Sequence, residues 1–254
     1  MSFPFYIVGR HAVAEALQAQ PERAQELLVA KGRRSAGLER LVERARRAGV
    51  KIRWVEPTRL EAMSGQAVHQ GVALSLAGAA YARWDHLLQA AEAAGEGALV
   101  VVADHIQDPR NLGALIRTAA AAGAQGLVLP KDRASPLTPA AAKAAAGALA
   151  RLPVARVTNL TRTLESLKEA GLWALAAVPH QAPAPWELDL AIPLALVVGG
   201  ENRGVGRRLL GACDLRAAVP LAPGVESLNA SVAAGMLLYE VVRQRTAGSG
   251  RDAG

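Results

Sequence analysis

The sequence predicts an α/β protein in two parts: a small α/β unit over residues 1–77 and a doubly wound, mostly parallel sheet over residues 98–254. Two observations carry this. From Ala98 onward, continuous apolar runs alternate with helical segments. A strand apolar at every position belongs to a sheet covered on both faces, because a half-exposed sheet would alternate apolar and polar residues. Before Ala77, short helix and strand patterns succeed one another at the spacing of one small unit. The Ala-rich stretch 78–97, with Gly78, Gly95 and Gly97, reads as a linker around a short helix over 85–94.

In order, residues 9–17 repeat apolar positions at Val13, Ala16 and Leu17 and predict a helix, 26–30 a strand, 37–48 a helix, and 50–55 and 71–76 two more strands. In the second part the apolar runs 99–103, 126–129, 154–157, 173–178, 194–198 and 215–219 predict six strands. Residues 139–152 form an Ala-dominated helix pattern capped by Thr138, and 228–245 a terminal helix followed by a frayed tail over 248–254.

With 254 residues and 51% apolar content, the chain can bury its own cores without covalent staples. Lys and Arg number 29 against 22 acidic residues, a net charge of +7. This Arg-weighted surplus fits a phosphate-backbone partner, and equally an Arg- and Ala-rich composition of genomic or thermophilic origin. One cysteine, Cys213, allows no internal disulfide, and no secretory leader pattern is present, so a reducing cytoplasm is expected. The apolar runs 98–103 and 191–198 are far short of the ~20 residues that span a bilayer. The histidines at 11, 69, 86, 105 and 180 lack metal-ligand spacing, so no metal is expected. Walker A, G-x-G-x-x-G and G-x-S-x-G patterns are absent where each would need to lie.

Three segments concentrate polar groups where strands end and helices begin, the place where α/β proteins build ligand sites. In the first, Asp108-Pro109 starts a helix that sets Asn111 and Gly113 near its N-terminus, with Arg117 one turn beyond Gly113. A capped helix with a solvated arginine explains this pattern, and so does a ligand site. In the second, Gly199-Gly200-Glu201-Asn202-Arg203-Gly204 follows a buried strand, where paired glycines permit a tight turn or a close backbone approach. The third runs from Val219-Pro220-Leu221 to Ser227-Leu228-Asn229-Ala230-Ser231, more polar groups than one helix cap needs. Its helix carries one apolar row at Val232, Met236, Tyr239 and Val242 and another at Leu237 and Val241, fitting burial in its own domain or a homodimer interface. In the first part, Arg33, Arg34, Arg40, Arg44, Arg46, Arg47, Lys51 and Arg53 cluster, and Arg40, Arg44 and Arg47 share one helical face. That ridge suits solvent or RNA, and His69-Gln70-Gly71 suits a turn or an RNA contact.

In order and spacing, Asn111-Leu112-Gly113 with Arg117, residues 198–204, and residues 219–231 with Tyr239-Glu240 and Arg243-Gln244-Arg245 resemble the three motifs of the SpoU branch of the SPOUT RNA 2′-O-ribose methyltransferases. Gly9-Arg10-His11-Ala12-Val13 and His69-Gln70-Gly71-Val72 are similar to the ribosomal-protein-like N-terminal domain of the bacterial members that methylate a P-site-loop guanosine of 23S rRNA. The resemblance implies S-adenosylmethionine as methyl donor, a homodimer formed through the catalytic domain, and a trefoil knot, which no periodicity predicts. It assigns cofactor binding to Gly199, Gly200, Val219, Leu221, Leu228 and Asn229, and catalytic positions to Asn111, Arg117, Glu201, Ser227 and Asn229. RNA contacts fall to Arg10, His11, Arg40, Arg44, Arg47, His69 and Gln70. Ala230 stands where many members carry Val. A guanidinium ordinarily stays protonated, which favours phosphate binding and hydroxyl polarisation for Arg117 over proton abstraction. A tRNA substrate and a noncatalytic RNA-binding or ribosome-assembly role are the alternative readings, and a pre-50S particle is a possible form of the substrate.

Overall fold

Two sheets organise the computed structural model, which describes residues 5–32, 35–64, 68–76, 81–201 and 203–249. Arg33, Arg34, Asn202, the linker positions 78–80 and the tail from 250 onward lie outside the described residues. The chain divides into two units, 1–80 with 137–151, and 81–136 with 152–254. The stretch 137–151, which lies within the second part by sequence pattern, thus groups with the first.

The first unit is a four-stranded mixed sheet in the order β1-β4-β2-β3, with β1 Phe5–Val8, β2 Ala24–Ala30, β3 Lys51–Val55 and β4 Val72–Leu76. β2 pairs parallel with β3 and antiparallel with β4, and β1 pairs antiparallel with β4. Three helices accompany it: α1 Arg10–Ala19, α2 Ala36–Arg47 and α3 Pro57–Ser64. Ser35 caps α2 by accepting a bond from Leu38 N, after which Leu38, Leu41, Val42 and Ala45 turn to the core every three or four residues. β1 and α3 add elements that the apolar periodicity did not predict.

In the second unit six strands lie in the order β10-β8-β9-β5-β6-β7, and every pairing between them is parallel. They are β5 Leu99–Asp104, β6 Gly126–Pro130, β7 Val154–Val157, β8 Trp173–Ala177, β9 Leu194–Gly199 and β10 Leu215–Ala217. The helices are α4 Trp84–Ala94, α5 Pro109–Ala121, α7 Leu160–Glu169, α8 Arg207–Gly211 and α9 Ala230–Ser249, with α6 Pro139–Ala144 in the stretch grouped with the first unit. Leu87 and Ala91 of α4 share a core with Leu160, Leu164 and Leu167 of α7 against Val100, Val102, Val128 and Val197 of the sheet. The expected linker helix is therefore a packed part of this unit. α5 and α9 lie together, and their buried Leu112, Leu115, Ile116, Leu237, Leu238 and Val241 are absent from that core, which leaves them the opposite sheet face.

One helix ends earlier than expected, and another divides its two apolar rows between core and surface. The helix expected over 139–152 stops at Ala144, because Ala146 and Gly147 take left-handed backbone (φ 47° and 89°) before a short 3-10 turn, Ala148–Ala150. On α9, Ala234, Leu237, Leu238 and Val241 are buried while Val232, Met236, Tyr239 and Val242 stay exposed, so the second apolar row packs inward and the first faces out. No described helix is long and apolar enough to cross a membrane.

Candidate active site

Three chain crossings at the carboxyl edge of the parallel sheet build the site. β5 ends at Asp104, which is buried, and the chain turns through His105 in left-handed backbone (φ 57°) before Asp108 caps α5 by accepting a bond from Arg110 N at 2.7 Å. That cap sets Asn111 in the first turn of α5. β9 ends in Gly199 and Gly200, neither of which can carry a side chain. A Cβ on Gly199 would fall 2.0 Å from the carbonyl carbon of Gly204, and one on Gly200 would fall 2.2 Å from His105 O. The paired glycines thus serve close approach of the chain to itself rather than positive φ, and they bring Glu201 beside Asn111. The third crossing is the start of α9, where Asn229 Oδ1 accepts bonds from Ser231 N at 3.0 Å and Val232 N at 3.3 Å. Asn229, not Ser227, caps this helix.

These crossings meet in one polar cluster. Asn111 Nδ2 donates to Glu201 Oε1 at 2.8 Å, and Asn229 Nδ2 donates to the same oxygen at 2.5 Å and to Asn111 Oδ1 at 3.0 Å. One carboxylate oxygen therefore takes two amide donors, and each asparagine is fixed at both ends of its amide. Beneath the cluster, Gly206 N donates to Asp104 Oδ2 at 2.9 Å, tying the end of β5 to the loop after β9. His105 Nδ1 lies 2.7 Å from Asp104 Oδ1, within ion-pair distance although its direction does not meet hydrogen-bond geometry. No motif marks Asp104 or His105 as site residues. Their signal is position alone, at the end of the strand that precedes Asn111.

Two cavities open on either side of Glu201. The larger, about 800 Å³, is lined by Gly199, Gly200, Val219, Leu221, Ser227 and Leu228, and also by the end of β8 at Ala177 to His180. The smaller, about 570 Å³, is lined by His105, Gln107, Asp108, Asn111, Arg133 and Arg203 among others. They share Gly200, Glu201, Arg203 and Ala230, so the carboxylate stands at their common wall. The larger has mostly apolar walls with glycine edges, and the smaller adds Arg133 to the shared Arg203. Such a pair can hold an organic cofactor on one side and an anionic polymer on the other.

Arg117 does not join this cluster. It is exposed on α5 and lines neither cavity, because six residues on a helix carry it about 120° around the axis from Asn111. Its neighbour Thr118 faces Gly235 of α9, whose Cβ would sit 3.6 Å from Thr118 Cγ2. Among the described residues, no group of three or more His, Cys, Asp or Glu could hold a metal ion.

In the first unit the expected RNA contacts separate into two sets. Arg10 and Gln70 engage each other: Arg10 N donates to Gln70 Oε1 at 3.0 Å and Arg10 Nε to Gln70 O at 3.1 Å. His69 Nδ1 accepts from Gly71 N at 3.1 Å, and Gln70 and Gly71 both take positive φ, so His69-Gln70-Gly71 is a turn. His11 is exposed beside Glu15 at 3.3 Å. Arg40, Arg44 and Arg47 line a surface groove with Arg46 and the half-exposed Trp54.

Residues 98–239 match the SpoU rRNA Methylase family, and residues 6–82 match the RNA 2'-O ribose methyltransferase substrate binding family. A relative from Bacillus subtilis, YacO, named for the TrmH family of tRNA/rRNA methyltransferases, is 42% identical over 94% of this chain and 96% of its own. The 23S rRNA (guanosine-2'-O-)-methyltransferase RlmB of Xanthomonas campestris is 39% identical, again over 94% and 96%. The crystal structure of the SpoU methyltransferase AviRb from Streptomyces viridochromogenes, in complex with the cofactor AdoMet, superposes with a TM-score of 0.80 at 25% identity, covering 96% of this chain and 92% of that one.

Proposed function

The chain belongs to the SpoU rRNA methylase family, and from that premise we infer that it is an S-adenosylmethionine-dependent RNA 2′-O-ribose methyltransferase whose target is a guanosine of 23S rRNA. The observation that carries the reading at the level of atoms is the Asn111–Glu201–Asn229 cluster, whose carboxylate stands between a mostly apolar cavity and one that adds Arg133 to the Arg203 they share. The larger cavity suits the cofactor in size and lining. At about 800 Å³ it lies within the ~300–1,000 Å³ range of ligand sites, and Val219, Leu221 and Leu228 offer apolar walls to a flat base. Gly199 and Gly200 leave its edge free of side chains.

When bound, S-adenosylmethionine supplies a methyl group that is already electrophilic on its sulfonium. The residues then have to orient a ribose hydroxyl in line with that methyl and assist loss of its proton. Glu201, already holding two amide donors, orients and compensates charge, while Asn111 and Asn229 fix the loops and present their amides to the ribose. Arg133 and Arg203 make the smaller cavity receptive to backbone phosphate. Ser227 stands at the cofactor side. Arg117, remote from its own cavities, serves the site of a second copy, where it holds the target phosphate and polarises the hydroxyl. The exposed row Val232, Met236, Tyr239 and Val242 on α9 supports a homodimer formed through the catalytic unit. A cytoplasmic setting, naked 23S rRNA or a pre-50S particle as substrate, and the family's trefoil knot belong to the same reading.

Methylation of total RNA from a strain lacking this gene, with labelled cofactor and mapping of the modified nucleotide, tests it. Label on a 23S guanosine 2′-O position is the expected result. Label confined to tRNA replaces the substrate, and no transfer removes the enzymatic reading.

A further inference from the structure

We propose that the groove between α2 and β3 holds an unpaired RNA nucleotide, with its base stacked on Trp54 and its flanking phosphates on the arginines of α2. The inference rests on the methyltransferase reading above and names the form of RNA that the first unit selects. Trp54 is a large aromatic left 48% exposed on the edge strand of its sheet. Strand alternation puts it opposite Val29, on the face away from Arg53, whose partner in the sheet is the core residue Leu28. It therefore looks into a groove of about 880 Å³, with Leu38 and Val42 at the base and Arg40, Arg44, Arg46 and Arg47 along the rim. Four arginines face two carboxylates there, Glu39 and Glu43, so the groove is net cationic.

The arginines are steadied without being used up. Arg40 Nε donates to Ala36 O, Arg44 Nη1 to Ala14 O and Arg47 Nε to Glu43 Oε1, each at 3.3 Å. Each guanidinium has five donors, so those left over remain for phosphate. A purely electrostatic ridge would need no aromatic, and a duplex offers none of its base faces to one. An exposed indole lining one groove with four arginines matches the recognition of unstacked bases in loops and single strands.

The test measures equilibrium binding of the full chain to a hairpin carrying an unpaired loop and to a fully paired duplex of equal length. Trp54→Leu keeps apolar cover over Leu38 and Val42 but removes the stacking face, and it should weaken hairpin binding about ten- to hundredfold while leaving duplex binding unchanged. Trp54→Phe should retain most of the hairpin affinity. Arg44→Glu with Arg47→Glu should weaken both RNAs and flatten the salt dependence. Hairpin affinity equal to wild type in Trp54→Leu, or equal loss on hairpin and duplex, overturns the stacking assignment, and unchanged affinity in the arginine variant overturns the groove itself. Methyl transfer to total RNA by the wild-type chain distinguishes the failures. With transfer intact, a negative binding result sinks this inference alone, whereas absence of transfer sinks the function on which it depends.

Discussion

Asn229 acts twice. Its Oδ1 caps α9 while its Nδ2 holds Glu201 and Asn111, so Asn229→Ala removes a helix cap and a site contact in one change. The expected outcome is a loss of about 1 kcal/mol of stability from the cap, seen in denaturant titration, together with loss of methyl transfer. Arg117→Ala separates catalysis from cofactor binding: turnover should vanish while S-adenosylmethionine affinity, measured by calorimetry, stays within a few-fold. Normal turnover would remove Arg117 from the mechanism. The residue types at 111, 201 and 229 were legible because each breaks the pattern around it, an amide or a carboxylate at the edge of an apolar run. Their mutual bonding was not legible, since it depends on how three crossings 90 and 28 residues apart converge. The cavity that Arg117 serves was not legible for a related reason: spacing along one helix fixes its angle to Asn111 and nothing more.

At the scale of elements, the four inner parallel strands β8, β9, β5 and β6 were read closely because their burial leaves them continuously apolar, whereas the edge strands β7 and β10 each carry an arginine, Arg156 and Arg216. Phe5-Tyr6-Ile7-Val8 of β1 is as apolar as the runs that predict strands, so β1 was legible though not predicted, whereas the polar mix of α3 hides its helical period. The interruption after Ala144 is masked by the alanines around it, which favour helix whether or not the backbone continues it. On α9 the two apolar rows are alike in composition, so only packing decides that Leu237 and Val241 face the sheet while Tyr239, at 69% exposure, faces away. That face gives the element its own test. Tyr239→Glu should leave the monomer folded by circular dichroism but shift sedimentation from dimer to monomer, with methyl transfer lost alongside. A variant that stays dimeric would place the interface elsewhere.

For the molecule as a whole, α9 is fastened at its far end as firmly as at its start. Gln244 accepts from Leu190 N at 2.7 Å and donates to Leu188 O at 3.0 Å, and Arg245 donates to the carbonyls of Gly97, Ala98 and Ile192, while within the helix Arg243 makes paired 2.7 Å bonds to the buried carboxylate of Glu240 and Gln244 adds a third at 2.8 Å. The Arg243 guanidinium, helped by Gln244, holds the Glu240 carboxyl at about 2 against an ordinary 4.5. A depressed carboxyl pKa contributes stability that is fully present above 4.5 and is lost as pH falls towards 2. Melting temperature should therefore drop through that window, and Glu240→Gln should flatten the drop while lowering stability at neutral pH. An unchanged acid profile in that variant would assign the acid sensitivity to other carboxyls.

The amide of Asn229 also sets an order of events during synthesis. Asn111 and Glu201 emerge from the ribosome well before α9, the last described element of the chain, and until α9 arrives the Glu201 oxygen lacks its shortest donor. A chain grown from its N-terminus thus presents its RNA-facing unit first and completes its chemistry only at the end. A nascent chain can therefore meet RNA before it has a finished centre with which to modify it.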